Sequence, residues 1–154
     1  MVCGCISRFG VHDLAYIEGN IDSSGYVDIL KNNLIPIINT YFDYNPFIFY
    51  QNWAAIHNTN MILKFFNTKN IPYLLWPSHS PDINIMENIW HYLKEKLRQL
   101  PITNSKEKLW FNIIGTIMKY MWDEEMTKKI NKLYESMPNQ IRVIIYVRGD
   151  NITY

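Results

Sequence analysis

At 154 residues, 48% of them hydrophobic, the chain has the size of one ordinary domain and enough apolar material for a core. A formal charge of +1 leaves no large electrostatic footprint, so bulk charge by itself demands neither nucleic acid nor membrane as a partner. No apolar run approaches the roughly 18 residues of a membrane span, no charged segment leads into an apolar one at the N-terminus, and Cys3 and Cys5 are too close for a framework disulfide and too few for a structural zinc site, which reads as a soluble intracellular protein with unpaired thiols.

In chain order, the apolar runs Met1–Ile6 and Leu14–Glu18 with turn material Arg8–Asp13 between them predict a hairpin. From Ser23, the positions Tyr26, Ile29, Leu30, Leu34 and Ile37 recur at helical spacing; Ser23 or Ser24 is the expected cap, and Pro36 is expected to bend or end the helix. Phe47–Tyr50 reads as a buried strand. Asn58 or Thr59 can open a helix through Met61, Ile62, Phe65 and Phe66. Ile71–Trp76 reads as a second buried strand ending at Pro77 and the loop Ser78–Asp82. Then Met86, Ile89, Trp90, Leu93 and Leu97 form one apolar helical face, with Lys94, Glu95, Lys96 and Arg98 largely off it. Helices over Lys106–Tyr120 and Asp123–Glu135 and a short last one after Pro138 complete an α/β chain with a helical C-terminal end. With no internal repeat and no long linker, 1–154 reads as one domain.

The informative stretch is Trp76-Pro77-Ser78-His79-Ser80-Pro81-Asp82-Ile83-Asn84-Ile85-Met86-Glu87-Asn88-Ile89-Trp90. It closely resembles the W-P-x-x-S-P-D-x-N-P-[IM]-E-N-x-W signature of mariner-type DDE transposases, in which the Glu is the third of three metal-binding carboxylates. Phe49-Tyr50-Gln51-Asn52-Trp53-Ala54-Ala55-Ile56-His57 resembles the family's F-x-Q-D-N-A-P-x-H motif, with Asn52 where the second catalytic Asp stands. The 34 residues between Asn52 and Glu87 are the family's interval. Met1-Val2-Cys3-Gly4-Cys5 resembles an M-V-W-G-C strand, and Leu133-Tyr134-Glu135-Ser136-Met137-Pro138 resembles the L-x-x-S-M-P ending, with Gln140 where Arg is usual.

The resemblance implies a ribonuclease-H-like mixed sheet flanked by helices, Mg²⁺ or Mn²⁺ in the ancestral enzyme, DNA as partner in transposition and integration, a transposase-like oligomer, and the nucleus as compartment. In the family the first catalytic Asp lies on the strand before the M-V-W-G strand, and the helix-turn-helix units lie further upstream. The chain is therefore expected to be the C-terminal part of a catalytic domain, truncated and degenerate. Two-metal phosphoryl transfer needs charged oxygen ligands, and Asn52 supplies one neutral carbonyl, so Glu87 remains as a vestigial and at most weak metal ligand. The first strand sits mid-sheet in that fold. Strands lie about 4.8 Å apart, so its loss would leave its neighbours about 9.6 Å apart; the chain is expected either to pair Met1–Ser7 directly with Phe47–Gln51 or to be marginally stable.

Simpler roles stand beside these. Glu87 sits three residues after Asn84, an N-x-x-E variant of the capping box. Asn52 can bond its own turn. His57 matches a position near the family's active site but is equally a polar residue at a helix start, whereas His79 and His91 have no partners at metal-ligand spacing. Trp76, Trp90, Trp110 and Trp122 read as core aromatics, and Trp53 as a plug beside the catalytic strand. Lys94, Lys96 and Arg98, with Lys128, Lys129 and Lys132, read as solvated helix faces that in a transposase relative can also touch phosphates. Two other readings remain: an interaction module in which the helices Lys106–Val147 pair with intact transposase subunits, and an active strand-transfer enzyme if the missing strand lies upstream.

Overall fold

The chain opens as a hairpin, β1 (Val2–Ser7) and β2 (Gly10–Tyr16), reversed within two residues, Arg8 and Phe9. The turn is shorter than the polar run suggests because Gly10 takes φ +119°, a conformation side chains resist. At the open end the Met1 ammonium donates to the Ile17 carbonyl (2.8 Å) and the Ile17 amide to the Met1 carbonyl (2.9 Å). The computed structural model describes residues 1–52, 54–74 and 83–146, apart from the Asp13 side chain, and the chain divides into two compact units. The first comprises residues 1–5 and 12–80, the second 6–11 and 81–154.

In the first unit, α1 (Ser23–Ile29) is capped by Asp22, whose carboxylate accepts from the Gly25 amide at 2.8 Å, and not by Ser23 or Ser24. Pro36 does not end the helix. A π turn over Leu30–Leu34, in which the Ile35 amide donates to the Leu30 carbonyl, leads directly into α2 (Ile35–Tyr41). The widened turn places the proline in the first turn of a new α segment, where its missing N–H costs least. A 3₁₀ turn, Ala55–Asn58, precedes α3 (Asn60–Thr68). That helix ends in a Schellman motif: Asn70 sits at φ +52°, its amide reaches the Asn67 carbonyl, and the Ile71 amide reaches that of Phe66. The reversal delivers Tyr73–Leu74 (β4) parallel to Phe49–Tyr50 (β3), in register Phe49 with Tyr73 and Tyr50 with Leu74. Both strands are shorter than their apolar runs, and Leu75–Asp82, which includes the end of the expected second strand and its loop, lies outside the described residues.

The core of this unit joins Tyr26, Val27, Leu30, Leu34, Ile62, Phe65, Phe66 and Ile71, and Cys3, Cys5, Phe47, Phe49 and Tyr73 pack against it. The strands form two separate two-stranded sheets, β1 with β2 and β3 with β4. Direct pairing of Met1–Ser7 with Phe47–Gln51 is therefore not found among the described residues. Both strands instead take their places from side chains laid on the same helical cluster.

In the second unit, α4 (Ile85–Leu97), α5 (Lys106–Tyr120) and α6 (Glu124–Tyr146) bury Ile85, Ile89, Leu93, Ile117, Met121, Met126 and Ile130. Ser105 caps α5 and Asp123 caps the start of α6. The expected break at Pro138 is absent, because α6 runs through it as one helix of 23 residues. Met126, Ile130, Leu133, Met137, Ile141 and Ile144 recur at helical spacing across the proline, with Met126 and Ile130 buried. Within this unit a Cβ on Gly10 would meet the Thr127 hydroxyl at 2.9 Å, and that hydroxyl is itself bonded to the Asp123 carbonyl. Gly10→Ala therefore combines a strained φ with a close contact; a loss of about 1–3 kcal/mol in urea unfolding is expected.

Candidate active site

Tyr26 organises the segment that follows β3. Its buried hydroxyl donates to Gln51 Oε1 at 2.8 Å, Gln51 Nε2 donates to the His57 carbonyl at 2.8 Å, and Ser23 Oγ donates to the Ile56 carbonyl at 3.2 Å. The His57 ring stacks on Tyr26, centroids 4.1 Å apart and planes at 27°. These bonds hold Gln51, Ile56 and His57 against α1, through partners 25 and 33 positions apart in sequence. Sequence reasoning passed over Tyr26 and Gln51 as site residues; Gln51 inside its motif was the available signal.

Asn52 lies just beyond β3 and is exposed. Its side-chain oxygen faces the Ala54 amide at 3.4 Å, and its carbonyl faces His57 Nδ1 at 3.3 Å. A carbonyl only accepts, so this contact calls for the tautomer with the proton on Nδ1. Asn52 thus bonds within its own turn. Burial lowers the His57 pKa from its ordinary 6.5, with the Asn52 bond acting the other way. The ring is therefore neutral near pH 7 and offers phosphate no positive charge. Because the folded pKa is depressed, unfolded chains bind the extra proton first. Stability is full above about pH 6.5 and falls as pH drops through that value toward the folded pKa. In denaturant titrations at several pH values, His57→Gln is expected to remove that acid-side slope.

Burial also pushes the Cys5 thiol up to about 12 and raises that of Cys3, so both stay protonated at neutral pH. Neither is in a disulfide.

In the second unit, α4 presents Glu87 in its first turn. Asn84 caps the helix, accepting from the Met86 amide at 3.2 Å, and its side-chain amide donates to Glu87 Oε1 at 3.4 Å. The expected capping pair is present in altered form, with the carboxylate reaching the Asn84 side chain. Glu87 is exposed and gains from the helix dipole. Asn52 belongs to the first unit and Glu87 to the second. Trp53, Asp82 and His79 lie outside the described residues. Among the described residues no group of three His, Cys, Asp or Glu side chains could hold a metal. As a ligand, Asn52 offers one neutral carbonyl oxygen, which does not meet the charge demand of a two-metal centre.

The three cations expected to touch phosphate differ in their surroundings. Arg98 pairs with Glu95, Lys94 is exposed, and Lys96 lies over the rings of Tyr92 and Tyr120.

A hairpin, a parallel strand pair with Asn52 just beyond its end, and a capped helix that begins beside Glu87 form the ribonuclease-H-like fold of transposase catalytic domains. The structure matches the catalytic domain of Mos1 mariner transposase with a TM-score of 0.82 at 13% identity, over 99% of this chain and 75% of that one. It matches the Mos1 mariner paired end complex with Mn with a TM-score of 0.79 at 15% identity, over 99% and 44% respectively. The chain belongs to the DDE superfamily endonuclease family, whose model matches residues 1–110, and is of Tc1/mariner type. The Tcb1 transposase of Caenorhabditis briggsae is 28% identical over 149 residues, covering 97% of this chain and 52% of that protein. The chain spans about half the length of the curated relatives it matches. No helix among the described residues is long and apolar enough to cross a membrane.

Proposed function

We propose that this chain is a degenerate DDE domain that does not cut or join DNA, and that its ancestral reaction was metal-dependent hydrolysis and strand transfer at DNA ends. The observation that carries this reading is that Asn52, which the motif register aligns with the second carboxylate, bonds its own turn. In support, the Glu87 carboxylate takes part in a helix cap. Where the ancestor held Mg²⁺ or Mn²⁺ between carboxylates, this chain offers the neutral Asn52 beside the charged Glu87 and binds metal weakly. DNA affinity, by relation to transposases, is weak, non-specific and salt-sensitive, and the working compartment is the one that holds chromosomal DNA. Titration with Mn²⁺ followed by electron paramagnetic resonance tests the ligand deficit. Weak, millimolar-range binding is expected for the wild type, and Asn52→Asp should tighten it on the order of tenfold, since it restores a charged ligand. Micromolar binding by the wild type would refute the deficit.

A second reading, an interaction module, is favoured by the solvent side of α5 and the residue just past its end. Phe111 and Met118 on the helix and Trp122 beyond it stand 75%, 60% and 50% exposed. Co-purification with an intact transposase relative would support it, and a monomer that ignores the relative would not.

A further inference from the structure

Three lysines from three helices of the second unit converge on two tyrosine rings. Lys96 of α4 lies 5.2 Å from the Tyr92 ring centroid and 4.9 Å from that of Tyr120. Lys119 of α5 lies 4.8 Å from Tyr120, and Lys129 of α6 lies 5.3 Å from Tyr92. Lys129 is matched by Glu125 at 2.8 Å. Lys96 and Lys119 enter no salt bridge among the described residues, although both ammonium groups sit on one ring. They therefore stand within about a Debye length of each other and repel. Cation–π attraction offsets part of that cost and leaves the positive charge uncompensated. The Tyr120 phenol is lowered from its ordinary pKa, first by a hydrogen bond from Lys119 and further by the charges of Lys119 and Lys96.

Solvated lysines free of any partner would spread apart; these are gathered. The rings hold the ammonium groups in place beforehand, which reduces the ordering cost of meeting an anion. All three cations are lysines, point charges suited to a row of phosphates; a planar carboxylate partner is better met by the arginine fork. With cations lying over both rings, the tyrosines do not serve as stacking platforms for bases. We propose that Lys96, Lys119 and Lys129, seated on Tyr92 and Tyr120, form a contact surface for the phosphodiester backbone of duplex DNA, read without regard to sequence. This rests on the DNA-related ancestry of the domain, but not on the loss of cleavage.

The test is fluorescence anisotropy of the full chain with a labelled duplex of arbitrary sequence across a salt series. The double variant Lys96→Gln/Lys119→Gln should lose on the order of tenfold in affinity at low salt, and its slope of log affinity against log salt should flatten by about 2. Lys96→Arg/Lys119→Arg should keep the wild-type slope. So should Lys31→Gln, whose lysine pairs with Asp28 in the first unit. Circular dichroism checks that each variant folds. An unchanged slope in the Gln variant, no binding by the wild type at the lowest salt, or preference for polyglutamate over DNA would each overturn the proposal. None of these outcomes bears on metal binding or strand cleavage, which are read separately.

Discussion

Replacing Phe66 by Ala is expected to cost the first unit about 3–5 kcal/mol, measured as a lowered midpoint in urea unfolding. Phe66 is fully buried, and its ring meets those of Phe49 (5.4 Å), Phe65 (5.9 Å) and Tyr73 (5.2 Å). It therefore joins α3 to both strands of the β3–β4 pair. Each strand is described over two residues, and among the described residues packing on Phe66 supports the pair in register. The cavity would remove that support. Domains of this size carry about 5–15 kcal/mol in total, so the loss is a large fraction of the whole. A loss below about 1 kcal/mol would mean the strands are held by something other than this ring.

Pro138→Ala should act in the opposite direction. The proline lies inside a helix of 23 residues and is exposed, so it fills no core space. It removes one amide donor and presses on the carbonyl four residues earlier. A proline in a helix interior costs about 3 kcal/mol relative to alanine; because it lies toward the C-terminal half of α6, a gain of about 1–3 kcal/mol is expected. Thermal melting followed at 222 nm should show a higher midpoint. No gain, or a loss, would indicate that the chain breaks at Pro138 in solution, as local sequence alone suggests.

The two prolines show where sequence reading stops. Pro36 and Pro138 each carry a known local penalty, but Ile37 beyond the first and Ile141 and Ile144 beyond the second continue an apolar face, and only the packed structure weighs one against the other. The start of α4 was legible because three signals coincide there: the 3.6-residue periodicity, Asn84 as a cap, and Glu87 three residues on. The hairpin was legible as an element but not in its turn, since the φ of +119° at Gly10 lets two residues do what a polar run of six seemed to need. Asn52 and Glu87 were singled out by the register of two motifs, which no periodicity would reveal. The Tyr26–Gln51–His57 chain of contacts was invisible, because hydrogen bonds between residues 25 positions apart leave no local pattern. The two separate sheets were not foreseen: direct pairing of Met1–Ser7 with Phe47–Gln51 was expected unless the chain is marginally stable, and packing of Cys3, Cys5 and Phe49 on the helical cluster, a long-range contact, leaves no sequence pattern to read.

The proposed loss of cleavage is tested most directly by nicking of supercoiled plasmid in Mg²⁺ or Mn²⁺, with an intact relative as positive control. The expected result is no nicking above the metal-only blank, since Asn52 gives a metal centre a neutral amide where charged oxygen is needed. Nicking by the wild type that disappears in Glu87→Ala would contradict it.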